Sequence, residues 1–199
     1  MSEAADTPLA AGSADPAVSG SAPTGGGHAL GPADAPATVL VFGTYECLHC
    51  RRGWPAFRAL ADDGLARVEW RHFAPPGAFP YAAAQAAAAE AAAAHGAFWP
   101  VHEALLDAPA PLGPATVDAV LAAAAAGFGL DARRLRADAD TPAVRARVAG
   151  HHAAGVALGV RGTPAAFLLR AGRAPEPLDA RDADALRAVV TAARRPVGA

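Results

Sequence analysis

Cys47 and Cys50 are the two cysteines of this 199-residue chain, and they stand three positions apart. Two thiols so placed can open and close a disulfide within one turn of helix, which makes the pair a candidate redox dithiol. About one random placement in a hundred gives this spacing, so its weight comes from context. An apolar run, Val39-Leu40-Val41-Phe42, precedes the pair, and a helical pattern begins near Leu48. At a helix start, unpaired backbone N–H groups and the positive dipole end favour a thiolate, so Cys47 is expected to be the acidic, attacking thiol. Cys50, one turn further in, would be the resolving cysteine. His49 lies between them, and a protonated imidazole there would lower the Cys47 pKa further. Stabilising the thiolate favours the reduced form and makes the disulfide more oxidising.

The elements that must hold this pair are legible in outline. Residues 37–42 read as a buried strand and 43–46 as a turn into a helix over roughly 48–63, interrupted by Pro55 and closed by Gly64. A second strand is predicted at 67–73, with Val68, Trp70 and His72 on one face and Glu69, Arg71 and Phe73 on the other. From 79 to 158 the pattern is helical: 81–95, 98–106, 116–128, 131–138 and 142–157, with caps predicted at Thr116, Asp131 and Thr141. Strand character returns at 166–169, a turn at 171–173 opens a hairpin to about 178, and 179–193 reads as a final amphipathic helix. Trp70 and Trp99 are assigned to the core.

A second constellation, Gly159-Val160-Arg161-Gly162-Thr163-Pro164, precedes the 166–169 strand. With Cys47-Leu48-His49-Cys50 and Pro55, it resembles the thioredoxin superfamily. The helical middle and the segments Tyr45-Glu46-Cys47, Arg71-His72-Phe73, Ala97-Phe98-Trp99 and Gly129-Leu130-Asp131 narrow the resemblance to its DsbA-like thiol-disulfide oxidoreductases over about residues 31–190. It implies an α/β thioredoxin-like fold with an inserted all-helical domain: a flexible leader at 1–32, a discontinuous thioredoxin-like domain at 33–80 and 158–196, and a helical insertion at 81–157 covering the active-site face. It also implies that the Thr163–Pro164 bond is cis and faces the dithiol, although only about 5–6% of X–Pro bonds in folded proteins are cis. The Thr163 backbone would then pair with an extended substrate segment, with Leu48 and Pro164 beside it. Relatives usually carry Pro where Leu48 stands, so the helix start here is expected to be less rigid.

The implied reaction is thiol–disulfide exchange with protein or peptide thiols, recharged by a redox partner, with no metal or organic cofactor. The competing reading keeps the fold as a non-catalytic redox sensor or peptide-binding adaptor. Zinc on Cys47 and Cys50 would need two further ligands, and the chain has no second cysteine pair. A metal enzyme using His72, His95 or His151 is a third reading. His151-His152 is otherwise expected on a solvated helix face, and Glu69 or Asp62 is the expected acid relaying protons to Cys50.

Composition narrows the partners. With 53% hydrophobic residues the chain can bury a sizeable core, and a net charge of −2 argues against nucleic acid. The leader has acidic residues and neither a basic nor an apolar signal region, and no long uncharged apolar run follows. Cytoplasmic residence without a membrane partner is therefore expected, where structural disulfides are rare.

Overall fold

The computed structural model describes residues 26–109 and 113–193. Residues 1–25 of the expected leader and 194–196 of the expected thioredoxin-like segment lie outside them. The order is β1 (His28–Leu30), β2 (Thr38–Gly43), α1 (Leu48–Asp62), β3 (Arg67–His72), α2 (Ala82–Ala93), α3 (Phe98–Asp107), α4 (Pro114–Phe128), α5 (Ala132–Ala139), α6 (Pro142–Ala157), β4 (Ala165–Leu169), β5 (Glu176–Leu178) and α7 (Ala183–Ala193).

β2 is apolar at nearly every position because it is the central strand, buried on both faces of a sheet ordered β1-β3-β2-β4-β5. It runs parallel to β3, and α1 makes the crossover that a parallel pair requires. It runs antiparallel to β4, with Leu40 opposite Phe167 and Val41 opposite Ala166. Side-chain alternation divides the core. Val39, Val41, Val68 and Trp70 join the apolar stripe of α1, which is Trp54, Phe57 and Leu60. Leu40 and Phe42 face the other way, onto Phe73, Val160 and Phe167. Each fully buried side chain of this size contributes about 1.5–3 kcal/mol.

Five helices, α2–α6, lie between β3 and β4 and include the segments expected as helical. The alanines of α2 let it pack closely against its neighbours, and it is buried on most of its surface. Asp131 and Thr141 cap α5 and α6, their side chains accepting the Arg133 and Val144 N–H groups. Thr116 does not cap α4. That helix starts two residues earlier at Pro114, whose fixed φ suits the first helical position, and its cap is Gly113.

Two further differences come from tertiary pairing. Residues 28–30, read as leader, form β1 against β3, with His28 opposite Trp70, an edge strand too short to show an alternating pattern. The last helix begins at Ala183, where the Asp182 carboxylate accepts the Asp184 and Ala185 N–H groups at 3.0 and 2.9 Å.

Candidate functional site

β2 ends at Gly43, where a Cβ would lie 2.2 Å from the Trp70 ring, so the missing side chain is what lets the indole pack beneath the turn. The turn 44–46 then sets Cys47 at the N-cap of α1 with extended backbone, φ −76° and ψ 113°. Its N–H donates to the Thr44 carbonyl at 3.2 Å, and its own carbonyl accepts the Arg51 N–H at 3.1 Å, the first helical bond. Both thiols are free and buried.

The Thr163–Pro164 peptide bond is cis, as the resemblance implies. The Cys47 thiol donates to the Thr163 carbonyl at 3.2 Å, so the loop before β4 and the start of α1 meet although 116 positions separate the residues. The antiparallel pairing of β2 with β4 produces this meeting, since each strand delivers its end to the same edge.

The two sulfurs differ sharply in acidity. The largest influence on Cys47 is the hydrogen bond donated by the Cys50 thiol. With the Thr163 side chain and the Cys50 and His49 amides, it outweighs burial and lowers Cys47 to about 5. Burial, followed by the Cys47 sulfur itself, pushes Cys50 far up. Cys47 is thus a thiolate at neutral pH while Cys50 stays protonated. His49 acts here through its backbone amide and not its ring, because the side chain points to solvent. Leu48 is 52% exposed beside the buried Cys47 and forms an apolar rim. The Tyr81 N–H donates to Glu46 Oε2 at 3.0 Å, tying the entry of α2 to the turn before Cys47.

The expected relay acids are elsewhere occupied. Asp62 pairs with Arg58 on the exposed side of α1, and Glu69 pairs with Arg71. Among the described residues the buried acid is Glu90, whose side chain is wholly enclosed. His28 Nε2 and His72 Nε2 meet its Oε1 at 3.0 and 3.1 Å, and His151 Nδ1 lies 3.7 Å away. His151 is therefore buried, contrary to expectation, because α6 lies against β3, and its neighbour His152 is half-buried, stacked on Phe73.

Among the described residues, His72, Glu90 and His151 are the group whose ligand atoms cluster tightly enough for a metal, within 4.8 Å. Their hydrogen bonds assign them otherwise. Trp70 Nε1–H donates to His72 Nδ1 at 3.3 Å, which leaves His72 Nε2 carrying the proton it gives to Glu90. His151 Nδ1 accepts the His72 N–H at 3.4 Å and its Nε2 donates to the Gly26 carbonyl at 2.6 Å. A metal would have to displace donors already in place. His95 pairs separately with Asp138 at 3.0 Å. Burial pushes Glu90 toward protonation, but the hydrogen bonds from His28 and His72 prevail and hold it far below the usual carboxylate range. Burial also lowers His72, and brings His151 down to about 4.

The sequence reading missed Glu90 and His28. The one signal available was a single acid within an alanine-rich helix, where a solvated position was equally compatible.

A family model described as a DSBA-like thioredoxin domain matches residues 38–191. A thioredoxin-like oxidoreductase from Silicibacter pomeroyi shares 27% identity at a TM-score of 0.68, covering 85% of this chain and 92% of that one. Oxidised BdbD from Bacillus subtilis, at 20% identity and TM-score 0.71, covers 85% and 93% and shares the fold. Among curated proteins, Na(+)/H(+) antiporter NhaA 3 from Salinispora tropica is 36% identical over 173 residues, 86% of this chain and 26% of that protein. The chain thus spans about a quarter of the length of such curated relatives.

Proposed function

The chain belongs to the DSBA-like thioredoxin-domain family, and on that footing we propose that it exchanges disulfides with protein or peptide thiols through Cys47 and Cys50. The observation that carries the proposal is the 3.2 Å approach of the Cys47 sulfur to the Thr163 carbonyl beside the cis bond. The low pKa of Cys47 favours the reduced form, so the Cys47–Cys50 disulfide is an oxidant. A substrate thiolate attacks Cys47 of the disulfide and Cys50 leaves, taking up a proton as its raised pKa demands. A second substrate thiolate then attacks the substrate sulfur of the mixed disulfide. Cys47 departs as a thiolate, the substrate is oxidised, and the protein is left as a dithiol for a partner oxidant to restore. When Cys47 ionises, the Thr163 carbonyl loses its donor and is open to an amide of an extended substrate. Leu48 and Pro164 flank that strand, and His49 stands at the exposed rim.

Insulin reduction and refolding of scrambled ribonuclease, each against a Cys47→Ser control, test the reading. Rates no greater than the control would leave a sensor or adaptor on the same fold.

A second reading rests on the 36% identity to Na(+)/H(+) antiporters: the thiols served belong to a membrane transporter. A Cys50→Ala variant that traps no transporter as a mixed disulfide would refute it. We propose cytoplasmic residence as well, and recovery of the protein from an exported fraction would overturn it.

A further inference from the structure

At the carboxyl ends of β2 and β3, a cavity of about 450 Å³ opens between α2 and α6. Its volume falls within the roughly 300–1,000 Å³ of small-molecule sites, and its position outside the carboxyl ends of parallel strands is where open α/β sheets bind ligands. The space exists because α2 presents Ala82, Ala83, Ala86 and Ala87 toward it, where longer side chains would fill it. Phe73 and Val148 extend the apolar lining.

Polar side chains line it in two places, Thr44, Tyr45 and His72 at the strand ends and Arg145 and His152 on α6. Arg145 lies at the cavity with its guanidinium bonded to the Asp140 carbonyl, and it forms no ion pair with an acid among the described residues. His152, stacked flat on Phe73 at 4.6 Å, lies beside the same opening. An apolar chamber with an unpaired cation at its mouth fits an amphipathic anion and disfavours a neutral chain.

We propose that this cavity binds a small carboxylate carrying a short acyl or aryl group, with the apolar end among the α2 alanines and the carboxylate on Arg145 beside His152. The site stands independently of the exchange reaction. Thr44 nevertheless joins the two, because it lines the cavity, its carbonyl accepts the Cys47 N–H, and its backbone hydrogen-bonds the Cys50 sulfur. Occupancy would therefore be felt at the dithiol.

Titration of the full chain with octanoate, and with octanol as the uncharged control, tests the proposal by calorimetry and by backbone amide shifts. Octanoate should bind more tightly than octanol and move the Thr44 and Ala83 amides. Arg145→Gln should weaken octanoate about tenfold and leave octanol unchanged. Ala87→Phe, at a half-buried wall position, should abolish both, while an unchanged urea-unfolding midpoint shows that the fold survives. Octanoate binding that persists in Ala87→Phe, equal binding of octanol, or no binding up to about 10 mM would overturn it.

Discussion

Cys47 Sγ meets the Thr163 carbonyl oxygen at 3.2 Å, with one residue capping α1 and the other preceding β4. In the thiol form the contact joins the sulfur to the loop before β4, and ionisation of Cys47 frees the Thr163 carbonyl. The contact also separates the roles of the two thiols, since Cys50 turns toward Cys47 and is buried by the core.

The acidity of Cys47 should be directly visible. Its folded pKa of about 5 lies below the free value of about 8.5, so the stability it confers is complete above that free value and lost as pH falls through 5. Reduced protein should therefore gain stability between about pH 5 and 8.5, and alkylation of Cys47 should show a midpoint near 5. A midpoint at the free-thiol value would contradict the assignment.

Replacement of Cys50 separates hydrogen bonding from backbone effects. Cys50→Ala removes the leading donor and should raise the Cys47 midpoint by about a unit or more, whereas Cys50→Ser keeps a donor and should raise it less. His49→Ala should move it by only about a few tenths, because the amide acts and not the imidazole. A His49 effect as large as that of Cys50→Ala would restore the imidazole to the role its position suggests. Thiolate absorbance reads all three.

Gly155 packs α6 onto Phe73, where a Cβ would lie 2.5 Å from the ring. Gly155→Ala should destabilise by about 1–3 kcal/mol despite alanine's better helix propensity. Urea unfolding measures it, and a neutral or stabilising result would mean that α6 can lift from the sheet without loss.

Removal of Glu90 leaves two imidazole N–H groups without an acceptor, so Glu90→Ala should cost about 2–5 kcal/mol and Glu90→Gln less. Because its folded pKa is depressed, the stability Glu90 supplies is full above its unfolded value of about 4.3 and drains away below it. Acid unfolding of Glu90→Gln should lose that part of the pH dependence. An unchanged acid limb would show that other groups govern it.

The dithiol and most helix boundaries were legible because each rests on local signals, a cysteine spacing and caps at Asp131 and Thr141, whereas the cis bond before β4 was reached only through the resemblance. Glu90, His28 and His151 were not legible. They lie on α2, β1 and α6, and the pairing of β1 with β3 and the packing of α6 against α2 and β3 make neighbours of them. Residue type cannot distinguish a buried imidazole from a hydrated one, and of the adjacent pair His151 is buried and His152 half-buried. β1 was illegible because three residues carry no period.

The pairing of β2 with β4 has a consequence for how the protein is made. On the ribosome, the sulfurs emerge more than a hundred residues before the carbonyl that receives one of them. Throughout the synthesis of the five intervening helices, the thiols are without their partner loop, so small oxidants and chaperones meet them first. Reactivity of the finished kind begins only when β4 has left the exit tunnel and taken its place beside β2.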